Sequence, residues 1–132
     1  MQQPQYSIWG HVQDCEEYLP GVFSVGTAGH GGIMVHKSVA GMLSEAAQKR
    51  GSKGHGYLQY EEDCDWAIPV YELPQTWKQA FRYSGLPEAQ WGIRLRETLS
   101  LWNADYLLER GIEPYQAQYE RWQERQKIFE RR

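Results

Sequence analysis

Glycine and proline interrupt the first half of this 132-residue chain at short intervals. Pro20-Gly21 and the segments 27–32 and 51–56 are breaks of this kind, because both residue types favour turns. Residues 22–25 and 33–36, on either side of the 27–32 segment, are mainly β-branched or apolar. This arrangement predicts two strands that pair as a hairpin through a glycine-rich turn.

The rest of the N-terminal half predicts further short elements. Residues 6–12 and 57–60 favour strands. Ser38 is placed to cap a helix over residues 39–49, which Gly51 would end. The other assignments are a turn or short helical piece at 14–17, a flexible loop at 51–56, and a short helix over 61–68 with an extended segment as the alternative.

The C-terminal third carries the clearest helical periodicity. Mainly apolar residues recur there at spacings of three and four, which is typical of one face of a helix. The stripe residues are Leu95, Leu99, Trp102 and Tyr106 in one segment and Tyr115, Tyr119, Trp122, Gln126 and Phe129 in the next. Prolines at helix starts and glycines past helix ends predict helices over 74–85, 87–110 and 114–131.

Together these elements predict an α+β fold, in which a small antiparallel N-terminal sheet is covered by helices and two long helices follow. A length of 132 residues fits one domain. No internal repeat or linker divides the sequence. We therefore expect a single domain over residues 1–132, with 20–73 as a motif-bearing core and 87–132 as a C-terminal helical pair.

Charge and cysteine content limit the possible partners. The chain has 14 basic and 17 acidic residues and a net charge of −3, which argues against a broad basic face for nucleic acid. The sequence has no apolar run of the kind that forms a signal peptide or a membrane span, so neither is predicted. Cys15 and Cys64 are then expected to be reduced thiols. These features predict a cytoplasmic protein with no membrane partner.

His30 lies in the most glycine-rich segment of the chain. Small neighbours allow a ligand to approach the backbone closely. An imidazole is also readily tuned for proton transfer near neutral pH. The alternative is structural, namely a tight hairpin turn whose glycines adopt positive φ angles.

Four carboxylates are concentrated between residues 61 and 65, beside Cys64 and Trp66. On a helix, Asp65 would share a face with Glu61 and Glu62. Such carboxylates could share a proton, hold a hard cation, or meet arginine side chains of a partner. The alternative is a helix N-terminus that acidic residues stabilise.

The familiar catalytic and cofactor motifs are missing from the sequence. It contains no phosphate loop, dinucleotide fingerprint, nucleophile elbow or paired Cys-x-x-Cys, so no cofactor is predicted. Neither the cysteines nor His30, His36 and His55 follow a metal-ligand spacing, so no metal site is predicted. Cys64 is a poor candidate nucleophile, because neighbouring acids raise the pKa of a thiol.

His30-Gly31-Gly32, taken with the Glu-Glu-Asp-Cys-Asp-Trp-Ala sequence at 61–67, resembles an uncharacterised domain family of phages, plasmids and the polyvalent proteins of conjugative elements. The resemblance covers about residues 20 to 73. Members often carry Pro-Ser before the histidine, so a Ser–His partnership here would need Ser24 or Thr27. The resemblance implies a small protein of a mobile genetic element in a bacterial host, where such proteins often counter CRISPR–Cas and restriction systems.

The leading functional hypothesis is an anti-CRISPR-like inhibitor that binds a host defence protein or ribonucleoprotein complex stoichiometrically. Its candidate contacts are Glu61, Glu62, Asp63 and Trp66, and then Tyr115, Tyr119 and Trp122. A second hypothesis is a small hydrolase or nucleic-acid-processing enzyme with His30, Glu62, Asp63 and Asp65 as catalytic residues. A third is a structural module that forms homo-oligomers through its last helix.

The two motifs are expected to meet in space. Concentrated polar segments have little reason to coexist in so small a core unless they interact. We therefore expect the His30 ring to lie within about 12 Å of a carboxylate of residues 61–65, since no single water bridges a longer gap.

Overall fold

A five-stranded antiparallel sheet forms the centre of the computed structural model, which describes residues 1–130. A two-stranded hairpin of β1 (Tyr6–Ser7) and β2 (Gly10–His11) precedes it. The sheet contains β3 (Asp14–Leu19), β4 (Val22–Gly26), β5 (Gly31–His36), β6 (Ser52–Gly54) and β7 (Tyr57–Glu61). Its strand order is β3-β4-β5-β7-β6, so the predicted β4–β5 hairpin is confirmed.

Within residues 1–130 six α-helices accompany the sheet, and the predicted fold class is confirmed. They are α1 (Glu45–Arg50), α2 (Ala67–Glu72), α3 (Pro74–Ser84), α4 (Glu88–Trp102), α5 (Ala104–Glu109) and α6 (Gln116–Glu130). The two longest, α4 and α6, have 15 residues each and lie in the C-terminal third. Residue 131, where the last helix was predicted to end, lies outside the described residues. Within residues 1–130, no helix combines the length and the apolar character that crossing a membrane requires.

The two faces of the sheet bury different sets of side chains, because successive residues of a strand point to opposite faces. Ile33 and Val35 face the helices and belong to the main core with Leu95 and Leu99 of α4. Met34, between them, faces the other way into a smaller cluster. The smaller cluster consists of Phe23, Val25 and Met34, with Trp9, Val12, Cys15 and Tyr57 packed against it.

Gly32 is required where β5 approaches its neighbours most closely. A Cβ atom at this position would lie 2.1 Å from the Tyr60 carbonyl oxygen and 2.7 Å from the Trp9 ring. Gly31 and Gly32 therefore belong to β5 and not to the turn in which the sequence pattern placed them. The reason for glycine here is close packing, since neither residue has a positive φ angle.

Strand pairing overrides local composition in three segments. Residues 14–17, predicted as a turn or helical piece, lie in β3, because their backbone pairs with β4. Residues 51–56, predicted as a flexible loop, include β6, which pairs with β7 through a turn at His55 and Gly56. Residues 6–12 form a hairpin and not one strand, because Gly10, at φ 121°, lies where the chain reverses.

The helix predicted over residues 39–49 is shorter than expected. The Ser38 hydroxyl hydrogen-bonds the His36 ring, and Ser38 does not cap the helix. A single 3₁₀ turn covers Ala40–Met42, and α1 then begins at Glu45, where the Ser44 hydroxyl accepts from the Ala47 amide. Gly51 ends this helix as predicted, although in an extended conformation.

The continuous helix predicted over residues 87–110 breaks at Asn103 into α4 and α5. Asn103 is fully buried and has non-helical angles, φ −138° and ψ 41°. Its amide nitrogen donates to the Cys64 carbonyl at 3.1 Å, and its amide oxygen accepts from Arg50 at 2.7 Å. These two hydrogen bonds hold the helix break against the segment that follows β7.

Glu72, at the end of α2, accepts hydrogen bonds from three residues, one at the start of α1 and two in or directly after α5. Its carboxylate accepts from the Ser44 amide and hydroxyl at 2.8 and 2.5 Å, from the Tyr106 hydroxyl at 2.5 Å, and from Arg110 at 2.5 Å. The side chain is only 6% exposed. Burial alone would raise the pKa of Glu72, but the hydrogen bonds and Arg110 outweigh it and hold the pKa below its usual range.

Replacing this carboxylate should therefore cost stability in a pH-dependent way. We expect Glu72→Ala to lower the free energy of unfolding at pH 7 by about 2–4 kcal/mol, since four donor groups of Ser44, Tyr106 and Arg110 lose their acceptor. A depressed folded-state pKa stabilises the protein above the unfolded pKa of about 4.3, and this stabilisation is lost as pH falls through the folded pKa. The difference between the variant and the unchanged protein should accordingly shrink at pH 3.5, measured by urea denaturation.

Glu124→Ala provides the matched control, because Glu124 is exposed and pairs with Lys127 on the same helix. Its effect should stay below about 0.5 kcal/mol at either pH. Equal losses for the two variants at pH 7 would show that the Glu72 network contributes little to the fold.

Candidate functional site

His30 lies in the turn between β4 and β5, and Thr27 holds the backbone of that turn. The Thr27 hydroxyl donates to the His30 carbonyl at 2.7 Å and accepts from the His30 amide at 3.2 Å. The Thr27 amide also donates to the His30 carbonyl at 2.7 Å. Because Thr27 contacts only the His30 backbone in these bonds, it does not form the Ser–His-like pair with the imidazole that the family resemblance raised.

The acidic segment 61–66 forms a tight turn, so the short helix predicted over 61–68 is wrong. The Cys64 and Trp66 amides both donate to the Glu61 carbonyl, at 3.3 and 2.9 Å, and α2 begins only at Ala67. The Glu62 amide donates to the Gly31 carbonyl at 2.9 Å. This bond continues the β5–β7 ladder and places the acidic turn beside the His30 turn.

The expected contact between the two motifs is confirmed. The His30 Nδ1 atom lies 3.5 Å from Glu61 Oε1, well inside the predicted limit. One ligand atom each from His30, Glu61 and Asp63 lies within 4.8 Å of the others. The imidazole side chain is 52% exposed and that of Glu61 39% exposed. The three groups therefore converge on open surface and not inside a cleft.

This trio could hold a divalent cation, a possibility that sequence spacing did not predict. One imidazole nitrogen and two carboxylates are a donor set that several divalent metals accept. His30 and Glu61 are 31 residues apart in sequence, and the Gly32–Glu61 register brings the donors together. No linear motif of the zinc-binding kind could have revealed them.

Asp65 has a structural partner and is set apart from the other acids. Its carboxylate lies 3.7 Å from Arg50, whose guanidinium also contacts Asp105 and Asn103. Burial raises the pKa of Asp65, and Arg50 partly opposes that rise. We conclude that Asp65 and Arg50 fix the acidic turn on α1 and α5, which leaves Arg50 engaged inside the protein.

Cys64 is unsuited to nucleophilic chemistry. Burial raises the pKa of its thiol to about 11, and the negative charges of Asp65 and Glu61 act in the same direction. Its sulfur lies 4.0 Å from Glu61 Oε2. Because the thiolate is the reactive form, a thiol with this pKa is almost entirely unreactive near neutral pH.

Glu62 and Asp63 are the acids that the fold leaves free. Both are exposed, and within the described residues neither lies within 4 Å of a cationic group. Trp66 lies beside them and stacks on Trp91, with ring centroids 6.1 Å apart. Glu62 and Trp66 both line an open groove of about 280 Å³ between α3 and the sheet. The structure thus joins two of the predicted contact residues into one surface feature.

The second predicted contact face, on α6, is partly used inside the chain. The Arg96 guanidinium lies 4.6 Å from the centroid of the Tyr115 ring, and the Tyr115 amide donates to Ser100 at 2.9 Å. Tyr119 and Trp122 are half-buried and stack on each other at 5.9 Å. Tyr115 is therefore a packing residue between α4 and α6. Association of two copies through this helix remains a prediction.

The fold and the site define a small α+β protein whose helices cover one face of an antiparallel sheet and whose free acids share one turn. The chain belongs to an uncharacterised family, described as Domain of unknown function (DUF7007), whose model matches residues 2–132. That match includes the C-terminal helices, whereas the motif resemblance extends only over about residues 20 to 73. No curated protein and no solved structure gives a significant match.

The state of Cys64 can be measured directly. In a Cys15→Ser background, we expect Cys64 to react with iodoacetamide at pH 8 about 100-fold more slowly than a small thiol of pKa near 9, because about two units separate the pKa values. The same protein in denaturant should react at the rate of the small thiol. A native rate equal to the denatured one would contradict the raised pKa of the Cys64 thiol and would make Cys64 a candidate nucleophile again.

The turn geometry predicts which of its side chains matters for stability. Thr27→Val removes two hydrogen bonds to the His30 backbone and should lower the free energy of unfolding by about 0.5–1.5 kcal/mol. His30→Ala removes an exposed contact with Glu61 and should cost less than about 0.5 kcal/mol. Urea denaturation of both variants measures the difference. A larger loss for His30→Ala would mean that the ring is a structural element of the hairpin.

Proposed function

We propose that this protein is a stoichiometric inhibitor that binds a basic, nucleic-acid-binding surface of a bacterial defence complex. The observation that carries the proposal is the pair of exposed, unpaired carboxylates of Glu62 and Asp63 on a turn that is fixed by its neighbours. A cationic partner surface is what such carboxylates recognise. The mobile-element setting that the motif resemblance implies is what directs the proposal to a defence complex.

The rigidity of the turn supports binding. The Gly31 carbonyl accepts the Glu62 amide, the Asn103 side chain donates to the Cys64 carbonyl, and Arg50 holds Asp65. Three separate elements thus fix the backbone on which the free acids stand. A preorganised surface loses little conformational entropy on association, and that improves affinity without any additional contact.

The charge arrangement also suits association with a nucleic-acid-binding protein. Carboxylates that face a positively charged groove steer the encounter, and they make the association rate fall as ionic strength rises. The chain as a whole carries a net charge of −3. The attraction would therefore be concentrated at the acidic turn and not spread over the molecule.

A metal-dependent hydrolytic or nucleic-acid-processing enzyme is the second candidate, and the His30–Glu61–Asp63 trio is the observation in its favour. A cation held there would supply an activated water or a Lewis acid. From the sequence, the predicted catalytic acids are Glu62, Asp63 and Asp65. In the trio the acids are Glu61 and Asp63, and Asp65 is instead paired with Arg50. The two candidates differ in stoichiometry, because an enzyme turns over and an inhibitor does not.

The proposal predicts a defined loss of function. Bacterial strains that each carry one defence system are infected with a phage that the system restricts, and the protein is expressed in each strain. We expect plaquing to rise in at least one strain and the double variant Glu62→Lys, Asp63→Lys to remove the effect, since charge reversal at a steered interface should weaken binding about 10- to 100-fold. Purified protein titrated against that complex should then reach full inhibition at about one copy per binding site.

Glu120→Lys, Glu124→Lys is the matched control, because it changes the net charge equally on exposed positions of α6. It should retain inhibition. Full inhibition at a small fraction of one copy per complex, together with its loss on adding a chelator, would replace the proposal with the enzymatic candidate. No protection in any strain would reject the inhibitor.

A further inference from the structure

The groove beside the acidic turn is lined mainly by aromatic and aliphatic side chains and includes the carboxylate of Glu62. It is lined from the sheet by Tyr18, Ser24 and Ile33, from α3 by Ala80 and Tyr83, and from α4 by Trp91. Trp66 and Glu62 close it on the side of the acidic turn. Within the described residues, Glu62 is the one charged side chain among those that line it. The groove is thus an aromatic channel with a carboxylate at its edge.

The aromatic rings of the groove are held by their neighbours. Trp66 stacks on the 5% exposed Trp91, which in turn meets Trp77 edge-on at 6.4 Å and Phe81 at 6.5 Å. On the opposite side, the Tyr83 hydroxyl donates to Glu16 at 2.9 Å and so ties α3 to β3. That hydrogen bond raises the pKa of Tyr83 and brings a second carboxylate near the groove. The wall formed by Trp66 and Trp91 is therefore preformed.

We propose that this groove binds one arginine side chain of the partner protein, with the guanidinium against the aromatic rings and paired with the Glu62 carboxylate. The inference rests on the proposed function and names the anchor of that interface. Aromatic faces attract cations, and a guanidinium stacks on them while it forms parallel hydrogen bonds to a carboxylate. Interface anchors of this kind are enriched in arginine, since one desolvated side chain can carry a large share of the binding energy.

The size of the groove favours a side chain over a small-molecule ligand. Its volume of about 280 Å³ lies below the range of roughly 300–1,000 Å³ that is typical of cofactor and drug-sized sites. An apolar side chain would fit the rings but would leave Glu62 desolvated without a partner, which is costly. A phosphate or carboxylate would be repelled by Glu62 and Glu16. Lysine would meet the charge but is a strongly hydrated point charge that stacks poorly.

The inference is tested on the isolated protein with a defined probe. The tripeptide acetyl-Gly-Arg-Gly-amide is titrated into ¹⁵N-labelled protein, and the indole N–H resonances of Trp66 and Trp91 are followed. We expect saturable shifts with a Kd in about the millimolar range, as suits a single side chain. The matched peptide with citrulline, which has the same shape and no charge, should bind at least about 10-fold more weakly.

Two variants separate charge recognition from shape. Glu62→Gln keeps the size of an exposed side chain and should weaken arginine-peptide binding about 10-fold, to the level of the citrulline peptide. Ala80→Leu fills the groove from a half-buried helical position and should abolish the shifts. The amide spectra of both variants confirm that each is folded. Equal binding of the two peptides, shifts confined to other tryptophans, or unchanged affinity in Glu62→Gln would each overturn the inference.

The outcomes of this experiment distinguish a failure of the arginine site from a failure of the proposed function. Arginine-peptide binding with no inhibition of any defence complex would retain the arginine site and reject the inhibitor. Inhibition that survives Ala80→Leu unchanged would retain the inhibitor and reject the groove as its anchor. Loss of both peptide binding and inhibition in Ala80→Leu, with Glu120→Lys, Glu124→Lys unaffected in both assays, is the outcome that we expect.

Discussion

The pairing of β5 with β7 is the constraint on which both the core and the candidate site depend. Gly32 lies opposite Glu61, and the Glu62 amide continues the ladder to the Gly31 carbonyl. The strands approach so closely at Gly32 that any side chain there would collide with the Tyr60 carbonyl. The same register directs Ile33 and Tyr60 into the main core. A shift by one residue would reverse every side chain of β5, so core burial and site assembly are selected together.

The acids of the turn have different roles because their surroundings differ. Asp65 is half-buried and faces Arg50, and both are tied through Asn103 to the break between α4 and α5. Removing one member of such a group would leave a partly buried charge without its partner, which is strongly unfavourable. Glu61 meets His30 at the surface, where water screens the pair. Glu62 and Asp63 have no such partner among residues 1–130, so their charge remains available for recognition.

Much of this arrangement is predictable from the sequence, and there are identifiable physical reasons why the remaining elements are not. The strands at 22–25 and 57–60 and the helix from Pro74 follow from β-branched runs and from proline and glycine positions. The strand β3 does not, because its acidic residues become extended only through pairing with β4. Helix α4 ends at Asn103 because that side chain bonds a distant turn, and no local signal reports such a contact. The groove was missed for a similar reason, since its walls come from residues between Tyr18 and Trp91.

The distribution of exposure at this site is what makes recognition the leading proposal and catalysis the second one. General acid–base and electrostatic catalysis gain most of their strength in water-excluded surroundings, where charges act at low dielectric. The imidazole of His30 is half exposed, and the nearby thiol of Cys64 has its pKa raised to about 11. A partner that covers the turn would exclude water on binding. The electrostatic attraction between the free carboxylates and the cations of the partner would then be stronger, because the local dielectric is lower. Glu62 lines the aromatic groove, so its carboxylate is the one best placed to act as an anchor.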